Sequence, residues 1–281
     1  MKIIRTISEM QSFSKELKKK GKSIAVVPTM GFLHEGHLSL IDTARSKADA
    51  VVVTIFVNPT QFGPNEDFEK YPRDFERDRQ LCESGKADAV FAPSPEEMYP
   101  GNASTWVSEE DLSRGLCGKS RPGHFRGVTT VVAKLFNATL PDMAVFGQKD
   151  AQQLAVIKRM ARDLNFSLEI IVAPIVREKD GLAMSSRNKY LSPDERKNAL
   201  SISQALFSAE NDVKNSRLNI EEIINKIKSK ISAFGGKVDY VEAVDADTLK
   251  PATEKEGRIL LAAAAFFGPT RLIDNIIIDV K

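Results

Sequence analysis

Five short apolar runs, separated by segments of helical periodicity, constrain this chain more than any other feature of its sequence. The runs cover residues 23–28, 50–57, 87–92, 142–147 and 168–175, and are dominated by valine, isoleucine, alanine and phenylalanine. Runs of this texture, without polar–apolar alternation, are strands buried on both faces. Between them Leu38, Ile41 and Ala44 recur at helical spacing through Lys47, residues 73–84 read as a helix, and Leu154, Ile157, Ala161 and Leu164 form one helical face. Alternation of this kind predicts an α/β domain with a doubly wound parallel sheet. Residues 127–137 carry Val128, Val131, Val132 and Leu135. Their spacing favours a helix, although their β-branched content would also suit a strand.

After Val176 the texture changes. Ser192-Pro193-Asp194-Glu195 is a helix start, with serine as N-cap, proline at the first helical position and glutamate three residues after the cap. Charged helices follow to about Ala233, Gly235-Gly236 breaks the chain, and three strand-like segments, 238–244, 258–266 and 271–280, close it. Helices followed by consecutive strands predict a second, smaller α+β domain. The polar turn near residues 178–181 places the boundary so that the domains cover 1–177 and 178–281.

The bulk properties narrow the function classes. Forty basic residues against 38 acidic leave a net charge of +2, which gives no clustered basic face for nucleic acid or an anionic membrane. Lys18-Lys19-Lys20 reads as the solvated end of an amphipathic helix. The longest apolar run, 259–267, falls well short of the roughly 20 residues that cross a bilayer. The first residues hold no apolar stretch of the secretory type. Cys82 and Cys117 lie far apart without metal-site spacing and read as free thiols. A soluble, cytoplasmic protein is the expectation.

Chemistry concentrates in Pro28-Thr29-Met30-Gly31-Phe32-Leu33-His34-Glu35-Gly36-His37, which leaves the first apolar run and enters a helix. A helix N-terminus in a strand–loop–helix unit offers N–H groups and partial positive charge to an anion. Gly31 and Gly36 allow backbone to approach a ligand closely, and His34 and His37 can each donate a hydrogen bond to a phosphate oxygen. The plain alternative is a glycine-shaped turn with satisfied histidines. Two of the chain's three histidines in one such turn favour the functional reading. Zinc fits poorly, because there is no HExxH pattern and only His124 remains as a third imidazole.

This segment resembles the HIGH signature of nucleotidylyltransferases and class I aminoacyl-tRNA synthetases. The longer run PTMGFLHEGHLSLI closely resembles the pantothenate synthetase (pantoate–β-alanine ligase) family. Three more segments match that family in order: Phe56-Val57-Asn58-Pro59-Thr60-Gln61-Phe62, Phe146-Gly147-Gln148-Lys149-Asp150-Ala151-Gln152-Gln153, and Met184-Ser185-Ser186-Arg187-Asn188. The resemblance implies a Rossmann-like first domain that binds ATP and pantoate. It implies ATP contacts by Met30, Gly31, Phe32, Leu33, His34, Glu35, Gly36, His37, Gly147, Gln148, Lys149, Asp150, Val176, Met184, Ser185, Ser186 and Arg187. Val176 would act through its backbone. Gln61 would contact pantoate and β-alanine, Gln153 would contact pantoate, and Asn58 would join them as a substrate residue. Asp150 and Gln153 also have capping-box spacing, so helix capping competes with ligand binding for both. Met184–Arg187 corresponds to the synthetases' KMSKS loop without its lysines, with two hydroxyls and a guanidinium suited to gripping phosphate. Residues 121–127, Tyr71 and Arg73 receive no role.

The implied reaction activates a carboxylate. Pantoate attacks the α-phosphate of ATP and expels pyrophosphate; the amine of β-alanine then attacks the acyl-adenylate and expels AMP. His37, His34 and Lys149 are the catalytic candidates, with His37 as proton donor. Mg²⁺ would accompany the nucleotide with few protein ligands, and the family is typically homodimeric. The rival readings are another HIGH-motif nucleotidylyltransferase, against which the Gln61 and Gln153 segments argue, and a non-catalytic nucleotide-binding module. A tRNA synthetase is disfavoured because no basic anticodon-reading region is evident.

Overall fold

The structure is a computed structural model that describes residues 1–64, 66–215 and 218–280. The chain divides into two compact units. The first comprises Met1–Asp111, Arg121–Gln148 and Val156–Pro174, and the second comprises Leu112–Ser120, Lys149–Ala155 and Ile175–Lys281. Three short stretches before residue 178 thus group with the second unit: Leu112–Ser120, Lys149–Ala155 and residues 175–177.

The first unit is built on a six-stranded parallel sheet: β1 (Lys2–Ile4), β2 (Ile24–Thr29), β3 (Ala50–Ile55), β4 (Ala89–Phe91), β5 (Met143–Gly147) and β6 (Glu169–Ala173). The spatial order is β1-β4-β3-β2-β5-β6, and every pairing is parallel. Between the strands run α1 (Ile7–Lys19), α2 (Glu35–Arg45), α3 (Phe75–Ser84), the short α4 (Pro95–Met98), α6 (His124–Thr139) and α7 (Ala151–Asp163), with α5 (Leu116–Ser120) preceding α6. Successive side chains of a strand point to opposite faces. Ala25, Val27, Val51 and Val53 thus form one core with Ile41 and Ala44 of α2, while alternate residues such as Ile24, Val26 and Val52 are equally buried on the other face, where α1 and α6 pack against β2. Burial on both faces is why these strands carry almost no polar residues. Each such valine or isoleucine contributes about 1.5–3 kcal/mol relative to exposure.

The ambiguous segment at 127–137 is helix, and α6 extends it to His124 and Thr139. Nearly every residue of α6 is buried, so packing overrides the modest helix penalty of its valines and threonines. β1 is absent from the sequence reading because three residues carry no periodicity.

The second unit contains α8 (Pro193–Asn215), α9 (Ile220–Ala233) and an antiparallel sheet of β7 (Lys237–Asp245), β8 (Gly257–Phe267) and β9 (Thr270–Val280), with β8 central. The predicted start of α8 is present. Ser192 N–H donates to Glu195 Oε2 at 2.8 Å, and Glu195 N–H donates to Ser192 Oγ at 3.3 Å. Ile259, Leu261, Ala263, Ala265 and Phe267 of β8 pack with α8 and α9. Leu260 and Ala262, on its other face, pack with Leu116 and Val244 and against Ala151. That second face explains the division of the chain: it draws α5 and the start of α7 onto β8. Gln152, buried, completes the attachment. Its Nε2 donates to the carbonyls of Leu112 (2.8 Å) and Gly115 (2.7 Å), and its Oε1 accepts from Cys117 N–H (2.9 Å). Both cysteines are free and buried, and no described helix is long and apolar enough to cross a membrane.

Candidate active site

In the first sheet the chain leaves β2 through α2 to reach β3 on one side, whereas β5 pairs with β2 on the other. The strand order reverses between β2 and β5. Open α/β sheets hold their ligands beyond the carboxyl ends of the strands at this switch point. Three candidate segments emerge there within the first unit: Met30 to His37 after β2, Asn58 to Gln61 after β3, and Gly147 with Gln148 at the end of β5.

The histidine turn is tightly specified. Gly31 has φ of +80° and Phe32 of +48°. A Cβ on Gly31 would sit 3.0 Å from Asp78 Oδ2 and 3.1 Å from Ile55 Cγ2, so glycine is required for space as well as for conformation. Leu33 lies in the core, and any contact it makes with a nucleotide is through its backbone. His34 is the N-cap of α2, and the amides of Glu35 and Gly36 open the helix beside it. The two imidazole centroids are 4.1 Å apart. His34 N–H donates to Nδ1 of His37 at 3.2 Å. With Nδ1 accepting, a neutral His37 carries its proton on Nε2, the nitrogen across the ring.

Gln61 is set by a chain of polar groups. Tyr99 O–H donates to Asn58 Oδ1 at 2.9 Å, Asn58 Nδ2 donates to Gln61 Oε1 at 3.1 Å, and Gln61 Nε2 donates to Met30 Sδ at 3.1 Å. Burial pushes the Tyr99 phenol up, so it remains a donor. Asn58 is 1% exposed and also gives Nδ2 to Gly127 O and receives Thr60 Oγ1–H. Its amide is spent on protein partners, and its bond to Oε1 fixes the side chain of Gln61. Residues 121–127, left without a role by sequence, support the same turn. His124 Nδ1 donates to Gln61 O at 2.8 Å and its Nε2 accepts from Arg121 at 3.0 Å, which fixes the tautomer. Arg121 pairs with Glu66 at 2.6 Å. Burial works to raise the Glu66 carboxyl, but the hydrogen bond and charge of Arg121 outweigh it and hold the group below its ordinary range.

The second unit carries the remaining candidates. Val176 and Met184 are joined by Met184 N–H to Val176 O at 3.0 Å, closing a hairpin whose turn includes Gly181. Ser185 caps the 3-10 turn Ser186–Tyr190 by accepting Arg187 N–H. Two adjacent residues of β9 hold the Val176–Met184 hairpin, through Arg177, and the backbone of Lys149. Asp274, 4% exposed, takes a bidentate pair from Arg177 at 2.7 and 2.9 Å, and Asn275 Nδ2 donates to Lys149 O at 2.9 Å. Lys149, Ser185, Asn188 and Asp274 line one small recess. Asp150 is exposed and Gln153 half-buried at the start of α7. Asp274, Asn275 and Gln152 were not legible as functional residues, since no local pattern marks a polar residue whose partner lies on another element.

The model of the pantoate–beta-alanine ligase family matches residues 2–277. The chain belongs to the pantoate–β-alanine ligase family. It is 59% identical over 279 residues to the pantothenate synthetase of Thermotoga petrophila, covering 99% of this chain and all of that one. It is 55% identical to that of Acetivibrio thermocellus over the full length of both. Among solved structures, pantothenate synthetase from Thermus thermophilus superposes with a TM-score of 0.93 at 42% identity, covering 98% of this chain and 99% of that one. Pantoate–β-alanine ligase from Francisella tularensis, complexed with β-γ ATP and β-alanine, gives a TM-score of 0.82 at 38% identity, covering 99% and 97%. As a pantoate–β-alanine ligase the chain forms an amide bond between those two substrates, and the α/β unit with its smaller antiparallel companion is the architecture of the Thermus structure.

Proposed function

We propose that this pantoate–β-alanine ligase works through a pantoyl-adenylate, with ATP as the activating substrate. A carboxylate is a poor electrophile, and adenylation replaces an unfavourable oxide leaving group with AMP. In the first step a pantoate carboxylate oxygen attacks the α-phosphorus of ATP, and the bond to the β-phosphate oxygen breaks, releasing pyrophosphate. In the second step the neutral amine of β-alanine attacks the acyl carbon, the acyl–oxygen bond breaks, AMP departs with that oxygen, and the amine loses a proton. The observation that carries this reading is the His34–His37 turn at the switch point, with the His37 ring oriented by the amide of His34. His37 donates an Nε2–H hydrogen bond to the departing pyrophosphate, and His34 and Lys149 neutralise charge that develops on the phosphates. The amides of residues 30–37 and the Gly147, Gln148, Lys149 and Asp150 segment bind the nucleotide, joined by Val176, Met184, Ser185, Ser186 and Arg187. Gln61 and Gln153 hold pantoate, Gln61 also meets β-alanine, and Asn58 holds Gln61 in place.

Among the described residues no cluster of three or more His, Cys, Asp or Glu side chains is arranged to hold a metal ion. A Mg²⁺ accompanying the nucleotide would supply charge neutralisation at its phosphates and would need few protein ligands. A cytoplasmic homodimer is part of the same proposal and rests on the resemblance to the family. Purified protein should release AMP from ATP when pantoate and β-alanine are supplied together, and omission of pantoate should abolish release. AMP formation that ignores pantoate, or requires a mononucleotide instead, would overturn the reading.

A further inference from the structure

The histidine turn is fastened by a residue that the reaction scheme does not use. Asp78, on α3, is 1% exposed, and both its carboxylate oxygens are engaged by the turn. Oδ2 accepts Phe32 N–H and Oδ1 accepts Leu33 N–H, each at 2.7 Å. The next residue is His34. The backbone at this point holds a non-glycine residue, Phe32, at φ of +48°, a conformation that persists only when its surroundings impose it. Burying a carboxylate is costly; burial raises the Asp78 carboxyl, and the two amides and Arg77, 4.0 Å away, act against that shift. The guanidinium of Arg77 also lies 5.0 Å from the Phe32 ring centroid. Nearby Cys82 is no competing charge, since burial and the Asp78 carboxylate push its thiol up to about 12. A group kept at this cost with both oxygens aimed at consecutive amides serves the shape of the turn more than the stability of α3.

We propose that Asp78 is a positioning residue for adenylation: its bidentate grip on the amides of Phe32 and Leu33 sets where His34 and His37 stand. This inference rests on the ligase reading above. Asparagine is nearly isosteric with aspartate but presents one acceptor and one N–H₂ group, so Asp78→Asn turns one of the two N–H···O bonds into a donor facing a donor. Displacement of catalytic groups by about 1 Å costs on the order of 100-fold in rate.

The test compares Asp78→Asn with Asp74→Ala, which removes the side-chain N-cap of the same helix, a bond to Arg77 N–H, without touching the turn. Pantoate-dependent ATP–pyrophosphate exchange is measured for both variants and for the unaltered protein, with circular dichroism confirming the folded fraction. The expected result is a turnover number at least tenfold lower for Asp78→Asn with KM for pantoate within about twofold, and an Asp74→Ala turnover within about twofold of the unaltered protein. Equal losses in the two variants, or none in Asp78→Asn, would overturn the proposal. Absence of pantoate-dependent exchange in the unaltered protein would instead strike the ligase reading. If Asp78→Asn does not fold, hydrogen exchange of the unaltered protein decides. The Phe32 and Leu33 amides should exchange at least 100-fold more slowly than unstructured amides, and exchange at the unstructured rate contradicts the grip.

Discussion

Replacing His37 with alanine should lower single-turnover formation of the pantoyl-adenylate by about 100- to 1,000-fold, which corresponds to about 2.7–4 kcal/mol of lost transition-state stabilisation. The reason lies in where the proton sits. His34 N–H occupies Nδ1 of His37, so Nε2 offers the proton and needs no reorganisation when pyrophosphate begins to leave. The affinity for ATP should change far less. The helix N-terminus, the amides around Gly31 and the other phosphate-binding segments are unaffected, and they hold the ground state as well as the transition state. The bond lost from His34 N–H is long, at 3.2 Å, so stability should fall by no more than about 0.5–1.5 kcal/mol. Rapid-quench measurement of adenylate and equilibrium binding of ATP separate the two effects. A rate near that of the unaltered protein would remove His37 from its role.

The second large effect concerns Gly127→Ala, where two physical tendencies oppose each other. Glycine within a helix costs roughly 0.5–1 kcal/mol relative to alanine, so on propensity alone the substitution should stabilise α6. Packing reverses the sign. A Cβ at this position would lie 2.4 Å from Thr60 O, 2.6 Å from Thr60 C and 2.7 Å from Gln61 N, all of them backbone atoms that cannot swing aside. Overpacking of this kind costs about 1–3 kcal/mol or more, and the relief requires α6 and the turn at Pro59–Gln61 to separate. Separation also strains the bonds from Asn58 to Gly127 O and from His124 to Gln61 O, so the Gln61 amide loses its orientation. Urea denaturation should show a net loss of about 1–2 kcal/mol, and KM for pantoate should rise by tenfold or more. An increase in stability would show that the helix and the turn are not in the contact described.

These two residues illustrate what the sequence discloses. The turn that holds His34 and His37 was legible because it is local: a glycine-flanked segment between a buried strand and a helix presents itself in ten consecutive letters. The strands were legible for a similar reason, since burial on both faces leaves a run with no alternation, as in Ile24–Thr29 and Ala50–Ile55. The start of α8 was readable because Ser192 and Glu195 satisfy each other's backbone. What escaped is what depends on a partner far along the chain. Asp78 is 45 residues from the amide of Leu33 that it accepts, and nothing in its surroundings in α3 distinguishes it from the other acidic residues there. Gly127 reads as an unremarkable helix glycine until Thr60 is placed against it. The attachment of Leu112–Ser120 and Lys149–Ala155 to the second unit follows from the second buried face of β8. The apolar run at 259–267 signals burial, but it does not say which segments provide the cover.

Asn58 carries a related lesson. The family resemblance implies a substrate contact for it; in the structure its amide is committed on both sides, to Tyr99 and Thr60 through Oδ1 and to Gln61 and Gly127 through Nδ2. Those four bonds support a positioning role for Asn58 behind Gln61, which local sequence does not reveal.

The central claim is that a carboxylate oxygen of pantoate attacks the α-phosphorus of a nucleotide held by the His34–His37 turn. Isotope transfer tests it directly. Pantoate labelled with ¹⁸O in its carboxylate is incubated with ATP, β-alanine and the protein, and the products are separated and weighed by mass spectrometry. One labelled oxygen should appear in AMP and none in pyrophosphate, because the oxygen that bridges carbon and phosphorus leaves with AMP when the amine attacks the acyl carbon. Label found in inorganic phosphate would instead indicate attack at the γ-phosphorus, and unlabelled AMP would contradict nucleotidyl transfer to pantoate altogether.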